Sequence, residues 1–142
     1  MPSAMKTVSK TLELRYPVKY TRLYESILSE LDESTYSPED RFALELVLDE
    51  AITNAVKHGN KNDPDKKVTV SYSITPKQFE IEITDEGPGF EIEDLPDPRR
   101  EENLFKTSGR GVLLMKAYMD KVKFNKKGNS VRMVKRAANY HE

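Results

Sequence analysis

Asp49-Glu50-Ala51-Ile52-Thr53-Asn54-Ala55-Val56-Lys57-His58-Gly59 closes a long helical run in this 142-residue chain. Ser37-Pro38-Glu39-Asp40 opens that run with a serine cap, a proline in the first position and two acids on the positive end of the helix dipole. Gly59 is a natural C-terminal stop. At about 100° per residue, Glu50 shares a face with Ala43, Leu46, Val47 and Asn54. Asp49 and Lys57 fall nearer the exposed side or its border. Glu50 and Asn54, one turn apart, therefore project together from the edge of the buried face. A carboxylate and an amide placed there need partners. Two readings are open: a helix-edge glutamate bonded to a neighbouring loop, or a general base beside a metal-ligating amide.

On the N-terminal side, Val8 to Tyr16 alternates weakly and stops at Pro17, which predicts a strand. Val18 to Leu31 carries Val18, Leu23, Ile27, Leu28 and Leu31 at helical spacing. On the C-terminal side, Val68 to Ile74 and Phe79 to Thr84 read as strands joined by a short turn. Gly111 to Met119 predicts a helix, and Val122 to Asn125 with Ser130 to Val134 a last hairpin around Lys126-Lys127-Gly128-Asn129. The order β-α-α-β-β-loop-α-β-β predicts one α+β domain over residues 1–142. Its architecture is a two-layer α/β sandwich: a mixed, mostly antiparallel sheet with helices on one face.

Two glycine clusters flank the long loop. Asp85-Glu86-Gly87-Pro88-Gly89-Phe90 puts an acid at a strand end, followed by Gly-x-Gly. Glycines let the backbone approach a ligand closely, although a tight turn alone produces the same pattern. Ser108-Gly109-Arg110-Gly111 opens the next helix, where free N–H groups and the dipole suit an anion. The pattern is not a Walker loop, because no Gly-Lys-Ser/Thr follows. It is not the dinucleotide fingerprint either, because the first glycine pair opens a loop rather than a helix. Glu86 to Arg110 between them holds three prolines and few apolar residues, and its length marks it as a lid or binding loop.

Composition closes off several chemistries. There is no cysteine, which excludes disulfides, thiolate catalysis and zinc–thiolate sites. His58 and His141 are the only histidines, too few for a multi-histidine metal centre. The net charge of -1 argues against a dedicated nucleic-acid binder or a polybasic membrane protein. No apolar run approaches a membrane span, and Met1 to Lys10 lacks a signal-peptide core, so the expectation is a cytoplasmic protein. Charge is unevenly placed: ten acids against two arginines from Glu80 to Glu102, and seven bases against one acid from Lys121 to Glu142. Either surface could be a solvated face or a dock for a partner protein. His58 is read as an ordinary residue near a helix C-terminus, where a cation is favoured.

The three signals in this order are far more specific than any one of them. Asp49 to Gly59 resembles the N box of the GHKL (Bergerat-fold, histidine-kinase-like) ATPases. Asp85 to Phe90 resembles their first glycine box, and Gly109-Arg110-Gly111-Val112-Leu113-Leu114-Met115 the second, after the ATP lid at about 86–110. Within that superfamily the chain most resembles the anti-sigma factor serine kinases of bacterial partner-switching systems, from Leu12 to Arg136.

The resemblance implies ATP and Mg²⁺ as cofactors and assigns roles by position. Glu50 would be the catalytic base and Asn54 the Mg²⁺ ligand. Asp85 would accept from the adenine amino group, with Gly87 and Gly89 lining the adenine pocket. Gly109 and Gly111 would hinge the lid and offer N–H groups to the phosphates. Ser130 would place a hydroxyl near the adenine. The arginine that some members carry before the second glycine box is absent at Ser108, which leaves Lys106, Arg110, Arg99 or Arg100 to supply positive charge. The implied function is a serine/threonine protein kinase that phosphorylates a STAS-domain anti-anti-sigma protein and sequesters a sigma factor, with a homodimer consistent with the family. A kinase of a non-sigma regulator and a non-catalytic ATP-gated binding module are the alternatives. A sensor histidine kinase fragment is disfavoured, because no helix pair carries a phospho-accepting histidine.

Overall fold

The computed structural model describes residues 7–89 and 107–139, with backbone only at 107–110. The elements run β1 (Val8–Arg15), α1 (Tyr20–Leu28), α2 (Pro38–Thr53), a π-helical segment (Asn54–Gly59), β2 (Lys67–Ile74), β3 (Gln78–Thr84), α3 (Thr107–Tyr118), β4 (Lys121–Phe124) and β5 (Ser130–Arg136). The predicted order holds. The sheet order is β1-β2-β3-β5-β4. The mostly antiparallel expectation holds: every pairing among the described residues is antiparallel, with no parallel pair among them to make the sheet mixed.

Alternation along the strands builds the two layers. Val68, Val70, Tyr72 and Ile74 on β2 are buried while their neighbours are partly exposed. Phe79, Ile81 and Ile83 on β3 and Val131 and Met133 on β5 continue that inner face. Ile27, Leu44, Leu48, Ile52 and Met115 from the helices join the same cluster. Burying each such side chain contributes about 1.5–3 kcal/mol before the entropy of ordering it. The opposite face carries small polar groups, such as the Thr11–Ser71 hydroxyl pair at 3.1 Å.

Helix α2 begins as its sequence dictates. The Ser37 hydroxyl accepts from the Asp40 N–H at 3.1 Å, and the Asp40 carboxylate accepts from the Ser37 N–H at 3.1 Å. This reciprocal cap satisfies two otherwise orphan donors. Asp40 does more than the dipole argument foresaw. It is buried, accepts from the Ala138 N–H at 2.9 Å and pairs with Lys135 at 3.6 Å. The end of β5 is thereby fastened to the start of α2.

The helix does not reach Gly59 as a continuous α-helix. At Asn54 it widens, and Asn60 N–H donates to Ala55 C=O, five residues back, at 2.9 Å. Such wide turns inside helices are rare and concentrate at functional sites. Helix α1 is shorter than Val18 to Leu31, since only Tyr20–Leu28 is regular. Helix α3 starts at Thr107 rather than Gly111, so Gly109 and Gly111 lie inside its first turns instead of before it.

Candidate functional site

A cavity of about 260 Å³ opens between the end of α2, the start of α3 and the β4–β5 turn. Asn54, Asp85 and Gly89 line it, and the Ala55, Met115 and Val131 side chains give it an apolar wall. Depressions of about 390 and 640 Å³ lie elsewhere, on the open polar face of the sheet and beside Tyr36 and Phe42. Neither gathers the candidate residues.

Asp85 follows the last residue of β3. Its N–H donates to Asn129 C=O at 2.9 Å, and its Oδ1 accepts from the Gly87 N–H at 2.7 Å. Burial pushes its carboxyl pKa up; the Gly87 hydrogen bond and the charges of Lys127 and Lys66 oppose that rise. Gly59 packs against this carboxylate so tightly that a Cβ there would overlap its atoms. A Cβ on Gly87 would in turn strike the Gly59 carbonyl. Gly89 has φ of 77°, a left-handed backbone, and faces the Lys127 carbonyl with no room for a side chain.

The other end of the site is built on α2. Glu50 and Asn54 are half-buried at the edge of the core-facing stripe, as helical phasing requires. Neither side chain has a hydrogen-bond partner among the described residues. The adjacent Asp49 is occupied, since it accepts from the Tyr24 hydroxyl at 3.1 Å. Gly111 on α3 closes this corner. A Cβ there would stand 2.8 Å from Asn54 Nδ2 and 3.1 Å from Glu50 Oε2. The glycine thus leaves a space flanked by a carboxylate and an amide that have no hydrogen-bond partner among the described residues.

The geometry brings Asn54, Asp85, Gly89 and Ser130 to one cavity wall. Gly87 supports Asp85 from behind, and Glu50 and Gly111 sit at the Asn54 end. Ser130 has its hydroxyl 2.7 Å from that of Thr84. Gly109 lies in the first turn of α3, as does the backbone of Arg110. Phe90, Arg99, Arg100 and Lys106, and with them most of the expected lid, lie outside the described residues.

Sequence reasoning missed four contributors. His58, set aside as a helix-end residue, belongs to the cavity wall, on the same side as Ala51, Asn54 and Ala55. Asn60 is buried; its Oδ1 accepts from the Glu86 N–H at 2.7 Å and its Nδ2 donates to Lys67 C=O at 2.9 Å. It ties the end of the π-helical segment to the glycine loop. Asn125 and Asn129 organise the β4–β5 turn. The signal for them was local: asparagines in a turn bond their own backbone.

Comparison with known proteins agrees with this architecture. Residues 17–135 match the family model described as histidine kinase-like ATPase domain. The serine-protein kinase RsbW of Listeria monocytogenes serovar 1/2a is 31% identical over 141 residues, covering 92% of this chain and 90% of the relative. The RsbW serine-protein kinase of Bacillus licheniformis is 30% identical over 84% of this chain and 80% of its own length. The anti-sigma F factor of Halalkalibacterium halodurans is 38% identical over 86 residues, or 56% of each chain. The five-stranded antiparallel sheet with its three α-helices is consistent with that match. The chain belongs to the histidine kinase-like ATPase domain family, in the branch of the RsbW-type serine-protein kinases.

Proposed function

We propose that this protein binds Mg-ATP in the cavity between α2, α3 and the β4–β5 turn and transfers the γ-phosphoryl group to a serine or threonine of a STAS-domain anti-anti-sigma protein. In this reading it also sequesters a sigma factor, which it releases when unphosphorylated antagonist competes. The observation that carries the reading is the juxtaposition of Glu50, Asn54 and Gly111 at one end of a cavity whose other end is Asp85. One end suits phosphates and an attacking hydroxyl, the other a nucleobase amino group.

Asp85 accepts from the adenine amino group, and its ionised form is the better acceptor. Ala55, Met115 and Val131 cover the faces of the base. Glu50 takes the proton of the substrate hydroxyl as the new O–P bond forms and the bond from the γ-phosphorus to ADP breaks. The residues present fit a magnesium ion that arrives on the nucleotide. Asn54 carries a neutral amide with no hydrogen-bond partner among the described residues; its Nδ2 faces the cradle that a Cβ at Gly111 would fill, and turning the amide by half a turn would present its oxygen to the ion. Among the described residues no cluster of three or more His, Cys, Asp or Glu side chains could hold a metal alone, so most ligands would come from phosphate and water. When bound, the ion supplies charge neutralisation of the triphosphate.

The test is incubation with ATP, Mg²⁺ and a STAS-domain anti-anti-sigma protein, followed by intact-mass measurement of that protein. A gain of one phosphate, lost in Glu50→Gln, is the expected result. ATP-dependent binding of the partner without mass gain would make the protein a nucleotide-gated clamp instead. Absence of ATP binding would overturn the reading.

A further inference from the structure

We propose that Asn129 is a positioning residue that sets base selectivity, holding Asp85 for adenine through a clamp on both sides of its backbone. This rests on the nucleotide reading above and adds a residue that neither glycine box nor N box contains. The Asn129 C=O accepts from the Asp85 N–H at 2.9 Å, and Asn129 Nδ2 donates to the Asp85 C=O at 3.0 Å. One residue therefore satisfies both backbone groups of the residue that carries the carboxylate. With Oδ1 held by the Gly87 N–H at 2.7 Å, the orientation of Asp85 is determined at three points.

The Asn129 amide has one orientation, because its neighbours leave no choice. Asn125 Oδ1 accepts from the N–H groups of Gly128, Asn129 and Ser130 at 2.8, 3.1 and 3.2 Å. Asn125 Nδ2 must then face away from those donors, and it donates to Asn129 Oδ1 at 2.7 Å. Asn129 Nδ2 is left to face the Asp85 carbonyl. The chain Asn125 to Asn129 to Asp85 is a relay of oriented amides that ends at a carboxylate in the cavity wall. The same turn presses the Lys127 carbonyl against Gly89, so it contacts the glycine loop on both sides of Gly87.

A hydrogen bond to a charged acceptor discriminates only if the acceptor is already in place; a carboxylate free to swing would accept from water as readily as from the base. The amino group is what distinguishes adenine from unsubstituted purine at this contact. Weakening the clamp should therefore reduce affinity for ATP and spare affinity for a nucleotide without that amino group.

The test is calorimetry of the full chain with Mg-ATP and with Mg-purine riboside triphosphate, which is ATP without its amino group. Wild type is expected to prefer ATP by at least about tenfold. Asn129→Ala should weaken ATP binding by about tenfold and change analogue binding by no more than about twofold, so the preference collapses. An unchanged preference in Asn129→Ala overturns the clamp, and so does an equal loss of both ligands, which is the mark of a merely structural residue. If Asn129→Ala does not fold, Asn125→Asp decides. It keeps an acceptor for the three N–H groups but removes the donor that orients Asn129, and the same collapse is expected. A wild-type protein that binds neither nucleotide overturns the nucleotide reading itself, a result distinct from a wild-type preference that survives both substitutions.

Discussion

Gly59 lies against the Asp85 carboxylate at a distance no side chain could share. Gly59→Ala would ordinarily stabilise a helical turn by up to about 1 kcal/mol. Here the new Cβ would overlap a carboxylate already held by the Gly87 N–H. The expected outcome is a folded protein whose ATP affinity falls at least about tenfold. Thermal melting and calorimetry on the same sample separate the two effects. Undiminished affinity would mean that Asp85 has room to move and does not depend on this contact.

Asp85→Asn keeps the shape but loses the charged acceptor. ATP binding should weaken by more than about 1.4 kcal/mol, or tenfold. The pH dependence follows from the sign of the shift. Burial raises the free protein's Asp85 pKa above the ordinary 3.8, so protonation begins at a higher pH than for an exposed aspartate. The ionised form binds the amino group, so affinity should fall as pH drops through that raised value. Asp85→Asn should lack this component. Titrating ATP affinity of both proteins from neutral to mildly acid pH checks it, and parallel curves would remove Asp85 from the site.

Glu50 has no hydrogen-bond partner among the described residues, whereas Asp49 is tied to Tyr24. Glu50→Gln should therefore leave ATP affinity near normal and lower phosphorylation of the partner protein by roughly 10²–10⁴-fold. Asp49→Asn should affect stability more than turnover. A fully active Glu50→Gln protein would assign the proton to another group.

Asn54→Ala should remove the enhancement of nucleotide binding by Mg²⁺ while far-ultraviolet circular dichroism stays unchanged. Binding isotherms with and without the ion provide the measurement. Persistence of the Mg²⁺ effect would place the cation on other ligands.

Asp40→Ala should destabilise the fold by about 2–4 kcal/mol, because it removes the carboxylate half of the reciprocal cap, takes the acceptor from the Ala138 N–H and removes the carboxylate beside Lys135. Urea denaturation monitored by circular dichroism reads this directly. A loss below about 0.5 kcal/mol would show that the end of β5 is not anchored there.

Local signals in the sequence were enough for the order of elements. Alternation wrote β2 and β3, and Ser37-Pro38-Glu39-Asp40 wrote the start of α2. Helical phasing placed Glu50 and Asn54 on the edge of the buried stripe, and the strand end placed Asp85 before its glycines. Contacts between distant segments were not legible. Asp40 meeting Ala138 spans 98 residues, and Glu86 meeting Asn60 spans 26. Nothing in helix periodicity announces a π-helical turn, because 3.6-residue phasing and a wider turn share the same apolar residues over one repeat. His58 read as a helix end because a cation is favoured there, although 3.6-residue phasing already sets it on the side of Ala51 and Asn54.

The wide turn Asn54–Gly59 holds more chain than an α-helical path between the same points would use. A sequence one residue shorter there could join the same points as ordinary α-helix, with Gly59 still against Asp85 and Asn60 still tied to Glu86 and Lys67. What would change is which side chains between Asn54 and His58 face the cavity. The surplus residue therefore serves the lining of the site rather than the span of the helix, and a single-residue deletion inside the turn should keep the fold and alter nucleotide affinity.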